Sequence, residues 1–204
     1  DHRDLHSFPT RRSSDLWQTG ERLEYHGEYY NFSLMTPFFS PGRSEQPEPP
    51  VFISAVNPYN CRVAGEVCDG VALHPLTTSK YLKEVINPNI ADGAARSGRD
   101  PKSVNLSNSS FVITGPNQAA INAKKEAVKK QIAFYCSTRS YSKILDVQGF
   151  QDLGVWLHEM SLKQQWDQMA ELITDEILDA FAVVGGYSEI PGLMKERLDR
   201  KSVV

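Results

Sequence analysis

Four short apolar runs, each followed by a stretch with helical spacing, constrain the fold of this chain most strongly. The runs are VFISAV, DGVALH, the apolar part of SVNLSNSSFVITG, and DAFAVVGG. Runs this short and this uniformly apolar are typical of strands in a parallel sheet that is covered on both faces. Their succession predicts an α/β fold with about four strand–helix units. An open doubly wound sheet and a (β/α)-barrel both fit this pattern, and periodicity alone does not separate them.

The intervening stretches carry apolar residues at helical intervals. The clearest is PNQAAINAKKEAVKKQIAFYC, where Ile121, Val128 and Ile132 share one face and the lysines lie away from it. The stretch TTSKYLKEVINPNIADGAARSG is predicted to be a helix with Tyr81 inward and a bend around Pro88. A further stripe is predicted to form the buried side of one helix in SLKQQWDQMAELI. Its members are Leu162, Trp166, Met169 and Ile173.

Residues 20–50 have a different character from the rest of the chain. LEYHGEYYNF places His26 and Gly27 between two aromatic-rich runs, which favours a small β-hairpin. The prolines from Pro37 to Pro50 then oppose regular structure. This segment is predicted to be an irregular excursion that precedes the first buried strand.

The two ends of the chain read as translations of one DNA sequence. Read on opposite strands, that DNA encodes both PTRRSSDL, residues 9–16, and DRKSVV, residues 199–204, with a stop codon after Val204. It resembles a sequencing-library adapter, and its upstream part accounts for residues 1–8. We therefore expect residues 1–16 and 199–204 to be adapter-derived tails, and such segments are excluded from fold reasoning.

Composition limits the classes of function. The chain is 40% hydrophobic and carries a net charge of −3, which is typical of a soluble globular protein and gives no support for a nucleic-acid partner. No apolar run has the length of a membrane helix. Three cysteines, Cys61, Cys68 and Cys136, lack Cys-x-x-Cys spacing, so we interpret them as reduced structural thiols of a cytoplasmic protein. The histidine spacing predicts no metal site.

The junction VFISAVNPYNCRVAG is the most informative candidate site. The strand ends at Val56, Asn57 is a suitable helix cap, and Pro58 suits the first helical position. The free amides at such a helix start bind anions, and the small residues Ser54 and Ala55 would let a phosphate approach the backbone. Ser54, Ala55, Val56 and Asn57 are therefore predicted to bind a cofactor phosphate. The alternative interpretation is an ordinary capped helix.

His74 marks a second candidate position. It falls at the end of the run GVALH, and enzymes with parallel sheets keep their chemistry at the carboxyl ends of the strands. A lone histidine is more often a structural residue, so His74 is predicted only to line a pocket. Glycine-rich nucleotide loops and the nucleophile motif of hydrolases are absent from the sequence.

Three segments together resemble the second half of luciferase-like monooxygenases. They are PPVFISAVNPYNCRVAGEVCDGVALHP, INPNIADGAARSGRDP, and LITDEILDAFAVVGGYSEIPGLMKERL. The stretch QIAFYCSTRSYSKILDVQGFQDLG is similar to the branch of that family that depends on the deazaflavin coenzyme F(420). The resemblance covers residues 17–198, and the order and spacing of the motifs make it specific.

The resemblance implies that residues 17–198 form the C-terminal half of a (β/α)8 TIM barrel. Members bind FMN or F(420) at the carboxyl face, with the phosphate near the loop after the fifth strand, which corresponds to Ser54, Ala55, Val56 and Asn57. It also implies that the whole protein is a homodimeric oxidoreductase acting on a small organic substrate. The reaction would be a hydride transfer or the activation of O2, as in oxidoreductases that act on paired donors. The family's catalytic residues come largely from the first four strands, so none is assigned here and the chain alone is expected to be inactive.

Two other functions are compatible with the sequence. The chain could act alone as a non-catalytic half-barrel binding module, which would require it to be a soluble, cooperatively melting monomer despite two exposed sheet edges. Alternatively, the barrel could carry unrelated chemistry, because this fold hosts many reactions.

Overall fold

The computed structural model describes residues 16–40, 42–43, 45–46 and 49–198. The two expected tails lie outside these residues, apart from Leu16. In the excursion, strand β1 (Tyr25–His26) pairs antiparallel with β2 (Asn31–Phe32). The Gly27 amide donates to the Tyr30 carbonyl at 2.9 Å and closes the turn, so the predicted hairpin is confirmed. A 3₁₀ turn follows at Pro37–Phe39.

Three strands form a parallel sheet in the order β3-β4-β5. They are β3 (Phe52–Ser54), β4 (Gly70–Leu73) and β5 (Asn105–Asn108). Ser54 lies opposite Ala72, and Leu73 lies opposite Asn108. Because the strands are parallel, their carboxyl ends meet at one edge, where the predicted site residues lie.

The remaining two strands form a second parallel sheet. In it, β6 (Phe111–Gly115) pairs with β7 (Ala182–Gly186) from Phe111 opposite Ala182 to Gly115 opposite Gly186. The run SVNLSNSSFVITG, predicted to be one strand, is therefore divided. Its first half, β5, pairs with β4, and its second half, β6, pairs with β7. Only Ser109 and Ser110 separate the halves, so one nearly continuous segment joins both sheets.

Helices connect the strands and cover them. After β3 comes α1 (Pro58–Val67), and after β4 come α2 (Ser79–Tyr81), a π-helical turn (Leu82–Ile86) and α3 (Asn87–Arg96). After β6 come α4 (Gln118–Cys136), α5 (Ser142–Gln148), α6 (Gln151–Leu162), α7 (Trp166–Met169) and α8 (Asp175–Phe181). The last helix, α9 (Ile190–Leu198), follows β7. Short 3₁₀ turns lie at Pro101–Ser103, Arg139–Tyr141 and Ala170–Leu172.

Just before Pro88, where a bend is predicted, the helical segment contains the π-helical turn. Proline has no N–H to donate to the preceding turn, so the ladder of hydrogen bonds is interrupted before it and the turn widens. Tyr81 and Ile86 are both fully buried, as the periodicity predicted.

The core is continuous across both sheets. It includes Val71 of β4, Ile113 of β6, Ile132 of α4 and Leu157 of α6, all fully buried. The three cysteines are free and buried, as expected of structural thiols. Burial raises the pKa of Cys61 to about 11, although the nearby Arg62 lowers it slightly, and burial raises that of Cys136 to about 12. Both thiols are therefore protonated at neutral pH.

One predicted helix is wrong. The stripe from Leu162 to Ile173 does not belong to a single helix, because α6 ends at Leu162, Gln164 has a φ of +57°, and α7 begins only at Trp166. Met169 and Ile173 are buried, but Leu162 and Trp166 are exposed. The left-handed backbone at Gln164 breaks the 3.6-residue period that the prediction assumed.

Candidate functional site

The loops after β3 and β4 form the candidate site at the carboxyl edge of the three-stranded sheet. The Ala55 amide donates to the Ala72 carbonyl at 3.4 Å, which extends the ladder one residue beyond the strands. Continuing this parallel register places Val56 opposite His74. The structure thus brings the two sequence-predicted positions, residues 54–57 and His74, to the same edge.

Helix α1 begins at this edge with unpaired amides. Asn57 adopts the extended backbone of an N-cap residue, but its side chain makes no capping hydrogen bond within the described part of the chain. The first helical bond runs from the Cys61 amide to the Asn57 carbonyl at 3.1 Å. Pro58 has no N–H, so the amides of Tyr59 and Asn60 are the orphan donors of this helix start. They carry the positive end of the helix dipole.

The four predicted cofactor-binding residues differ in what they offer. The side chains of Ser54 and Asn57 are exposed, and Ala55 is buried. The Ala55 amide is already bonded to Ala72, so it is not free to bind an anion. Residues 54–61 contain no acidic side chain. The donors available at this junction are therefore the Ser54 hydroxyl, the Asn57 side-chain amide and the amides of the helix start.

Tyr81 connects the two loops. Its hydroxyl donates to the Val56 carbonyl at 3.0 Å, and its amide donates to the Thr78 Oγ1 at 3.0 Å. The ring is fully buried, and burial raises the pKa of Tyr81 to about 12, with smaller contributions from Cys61 and Asp146. The hydroxyl is therefore protonated throughout the neutral range and always able to donate. The sequence indicated that Tyr81 faces inward, but not that it holds the loop after β3.

His74 is packed among aromatic rings. Its imidazole stacks on Tyr141 with ring centroids 4.4 Å apart, and it meets Tyr135 edge to face at 4.6 Å. Its Nδ1 accepts a hydrogen bond from the Leu76 amide at 3.3 Å. Burial lowers the pKa of His74 below 6.5. The neutral ring with Nδ1 as acceptor carries its proton on Nε2, so His74 is a hydrogen-bond donor at this edge.

Thr77 was not predicted from the sequence. Its amide donates to the His74 carbonyl at 2.8 Å and closes a tight turn after β4. The residue is only 3% exposed, and its Oγ1 is buried without a hydrogen-bond partner among the residues that the structure describes. An unpaired buried hydroxyl is costly, so a hydrogen-bond partner at this atom would stabilise the folded chain. The repeated Thr77-Thr78 after a buried strand was the available signal.

A cavity of about 500 Å³ lies between the end of α4, α5 and α6, and none of the five predicted residues lines it. Helix α5, which borders this cavity, packs against α2, the helix that ends at Tyr81. Among the described residues, no cluster of three His, Cys, Asp or Glu side chains could hold a metal ion. No helix within the described ranges has the length and apolar character needed to cross a membrane.

Comparison with known proteins identifies close relatives. An uncharacterized protein of Mycobacterium tuberculosis is 43% identical over 183 residues, which cover 90% of this chain and 54% of that protein. A 5,10-methylenetetrahydromethanopterin reductase of Methanolobus tindarius is 25% identical over 185 residues, which cover 88% of this chain and 52% of the reductase. The chain therefore spans about half the length of the curated relatives it matches.

Among solved structures, a coenzyme F(420)-dependent tetrahydromethanopterin reductase from Methanopyrus kandleri matches with a TM-score of 0.70 and 17% identity. The match covers 94% of this chain and 54% of the reductase. An F(420)-dependent secondary alcohol dehydrogenase matches with a TM-score of 0.55 and 16% identity over 89% of this chain and 49% of the dehydrogenase. These likenesses confirm the predicted α/β fold of the barrel class, with its parallel strands.

The family model described as luciferase-like monooxygenase matches residues 13–200. This match confirms the resemblance inferred from the sequence motifs. The chain belongs to the luciferase-like monooxygenase family.

Proposed function

We propose that this chain is the C-terminal half of an F(420)-dependent oxidoreductase and supplies part of its coenzyme phosphate site. The observation that carries the proposal is the open start of α1 beside a second loop with an unpaired, buried Thr77 hydroxyl. The family supports it, because relatives named F(420)-dependent hydroxymycolic acid dehydrogenase and F(420)-dependent glucose-6-phosphate dehydrogenase share 28% and 31% identity with parts of the chain. We propose F(420) over FMN for the same reason.

The residues present fit a phosphate. The Tyr59 and Asn60 amides, the Ser54 hydroxyl and the Thr77 hydroxyl are donors without an acidic neighbour in residues 54–61. Arg62 is not one of the proposed phosphate donors, because its guanidinium donates to Oδ1 of Asn89 on α3 at 2.7 Å. A helix start with free amides binds phosphate through hydrogen bonds and the helix dipole together.

The bound coenzyme would supply the hydride chemistry, and the protein residues would bind and orient it. The loop from Ser54 to Asn57 would hold the phosphate and so fix the coenzyme's position along the sheet edge. His74 would offer its Nε2 proton to an oxygen atom of the coenzyme or the substrate. Tyr135 and Tyr141 pack on His74 and would exclude water from one side of it.

Other features of the whole protein are proposals of the same kind. The acid–base residues would lie in the half of the relatives' length that this chain does not span. The substrate would be a small organic molecule, and the protein would be a cytoplasmic homodimer. Residues 1–16 and 199–204 would take no part in the function.

The test is a binding measurement on the protein encoded by the uninterrupted gene. F(420) and FMN are titrated separately, with F(420) expected to bind. An Asn57→Asp variant provides a sharp comparison. Aspartate is also a good helix cap, so the fold is retained, but its carboxylate would repel the phosphate and weaken F(420) binding. Binding of neither coenzyme to the wild-type protein would contradict the proposal, and binding of FMN alone would replace F(420) by FMN.

A further inference from the structure

We infer that Tyr81 is a positioning residue, which holds the loop after β3 in the shape that presents the α1 amides to a phosphate group. The inference rests on the proposed function, but it concerns a residue outside the proposed set of phosphate donors. Its basis is the hydrogen bond from the Tyr81 hydroxyl to the Val56 carbonyl.

The hydrogen bond lies directly before the anion-binding part of the loop. Val56 precedes Asn57, and Asn57 is the N-cap residue of α1. Fixing the Val56 carbonyl therefore fixes the direction of the peptide that leads into the helix, because a peptide group is planar. Without this bond, the loop would be held mainly by the longer 3.4 Å bond from the Ala55 amide to Ala72.

Tyr81 is itself held from the second loop. Thr78 Oγ1 accepts the Tyr81 amide at 3.0 Å, and Thr78 is buried. The adjacent Thr77 carries the unpaired hydroxyl. The position of the Tyr81 ring therefore sets the relation between the α1 amides on one loop and the Thr77 hydroxyl on the other.

The ring also lies at the start of an unusual helical segment. Tyr81 ends α2, and the π-helical turn Leu82–Ile86 follows it at once. A π-turn shifts the helix by one residue relative to an α-helix and often occurs at functional sites. Here it rotates the following residues so that Leu82, Val85 and Ile86 are all buried, while the Tyr81 hydroxyl reaches Val56.

The experiment compares Tyr81→Phe with the wild type in the protein encoded by the uninterrupted gene, using three probes: F(420), the same deazaflavin without its phosphate, and inorganic phosphate. Loss of the hydroxyl is expected to weaken F(420) binding roughly three- to tenfold, as removal of one hydrogen bond does. Binding of the phosphate-free deazaflavin should change less than twofold. In amide NMR spectra, the shifts that inorganic phosphate causes at Tyr59 and Asn60 should shrink in the variant.

A Thr174→Ala variant controls for lost stability. Thr174 Oγ1 accepts the Ile177 amide at the start of α8, so this change also removes one hydrogen bond but leaves the sheet edge intact. It should lower the melting temperature like Tyr81→Phe and leave all three affinities unchanged. A Tyr81→Phe protein that loses affinity for both deazaflavins equally, or for neither, would overturn the inference.

The outcomes also separate this inference from the proposed function. If the wild-type full-length protein binds neither deazaflavin, F(420) is not its coenzyme, and the phosphate titration then decides the role of Tyr81. Phosphate shifts that are present in the wild-type chain and lost in Tyr81→Phe support the positioning role. Phosphate shifts that are absent from the wild-type chain, or equal in the two proteins, overturn it.

Discussion

At Thr77, the hydroxyl that would favour F(420) binding is expected to lower the stability of the folded chain. It is buried and unpaired, and its neighbour Thr78 has the same side chain but uses it to cap α2. Replacing Thr77 by valine keeps the shape and removes the unpaired polar atom. We expect Thr77→Val to raise the free energy of unfolding by about 1 kcal/mol. The same variant should bind F(420) more weakly.

Thr78→Val is the matched control for this prediction. It removes the hydroxyl that accepts the Tyr81 amide, so it should lower the free energy of unfolding by about 1 kcal/mol. Urea denaturation of the two variants measures both changes. If Thr77→Val destabilises the chain as Thr78→Val does, its hydroxyl has a partner in solution and is not a free ligand.

His74 should titrate below its ordinary value, because burial disfavours the charged ring. Between the lowered pKa and 6.5, the unfolded chain binds more protons than the folded chain, so stability falls as the pH drops through this window. NMR titration of the ring protons measures the pKa. Tyr141→Ala removes the stacked ring and should bring the pKa of His74 closer to 6.5. An unchanged pKa in that variant would show that Tyr141 does not shield the ring.

At the scale of elements, the crossing of α1 and α3 depends on two glycines. A Cβ on Gly65 would collide with the Ile90 carbonyl, and a Cβ on Gly93 would collide with the Arg62 carbonyl. Backbone cannot move aside as a flexible side chain can, so the helices would have to separate. We expect Gly93→Ala to lower the free energy of unfolding by about 2 kcal/mol or more.

Gly192→Ala is the control for the helix crossing. Gly192 lies inside α9 and has no atom within 4 Å of its added Cβ. Within a helix, alanine is more favourable than glycine. This variant should therefore be as stable as the wild type or up to about 1 kcal/mol more stable. Denaturant unfolding of both variants checks the pair. Equal effects would mean that the helices do not meet at Gly93.

Ion pairs join α4 to the helices that follow it. Asp175 of α8 lies 3.0 Å from Lys129 and 3.5 Å from Lys125. The hydrogen bond and charge of Lys129, with help from Lys125, lower the pKa of Asp175. The folded pKa is depressed, so the stabilisation is present above the ordinary value of 3.8 and is lost as the pH falls through the lowered one.

Asp175→Asn should therefore flatten the acid limb of the stability curve and have little effect in high salt. Melting temperatures between pH 2 and pH 7 at low and high ionic strength measure this. Asp179→Asn, on the same helix, is a control for the loss of one charge. Identical curves for the wild type and Asp175→Asn would show that the pairs with Lys125 and Lys129 contribute nothing.

The elements that were predicted correctly are those specified by local periodicity. Spacing that is visible in the sequence predicts the inward side of the helix at Tyr81. It also predicts the strands that contain Ile53, Val71 and Val183. The division of the third strand was not visible, because β5 and β6 separate only through pairing with different partners. The break at Gln164 was also missed, since a non-glycine residue with positive φ has little local signature.

For the candidate site, too, the sequence predicted the local features but not the long-range contacts. Residues 54–57 could be selected because strand, cap and proline follow one another. The bond from Tyr81 to Val56 joins residues 25 apart in the chain, and no periodicity reports such a contact. The packing of Tyr141 against His74 likewise joins residues that are far apart in the chain, because Tyr141 lies after α4 and His74 lies after β4.

Across the molecule, large apolar side chains are exposed in two regions. In the excursion, Tyr29, Leu34 and Phe38 are about four-fifths or more exposed. At the sheets, Phe52 of β3 is 42% exposed, and β3 and β7 are edge strands within the described ranges. Unpaired strand edges and exposed aromatic side chains both favour association with another surface.

We therefore expect the 204-residue chain to associate as its concentration rises. Sedimentation velocity over a hundredfold range of concentration should show species larger than 22.9 kDa. Leu34→Ser combined with Tyr29→Ser removes two exposed apolar side chains and should shift the distribution towards the monomer without changing the melting temperature, because neither residue is buried. A monomer at every concentration, with a single cooperative melting transition, would contradict this expectation. That result would also favour a chain that acts alone as a binding module, since its exposed edges would then need no partner.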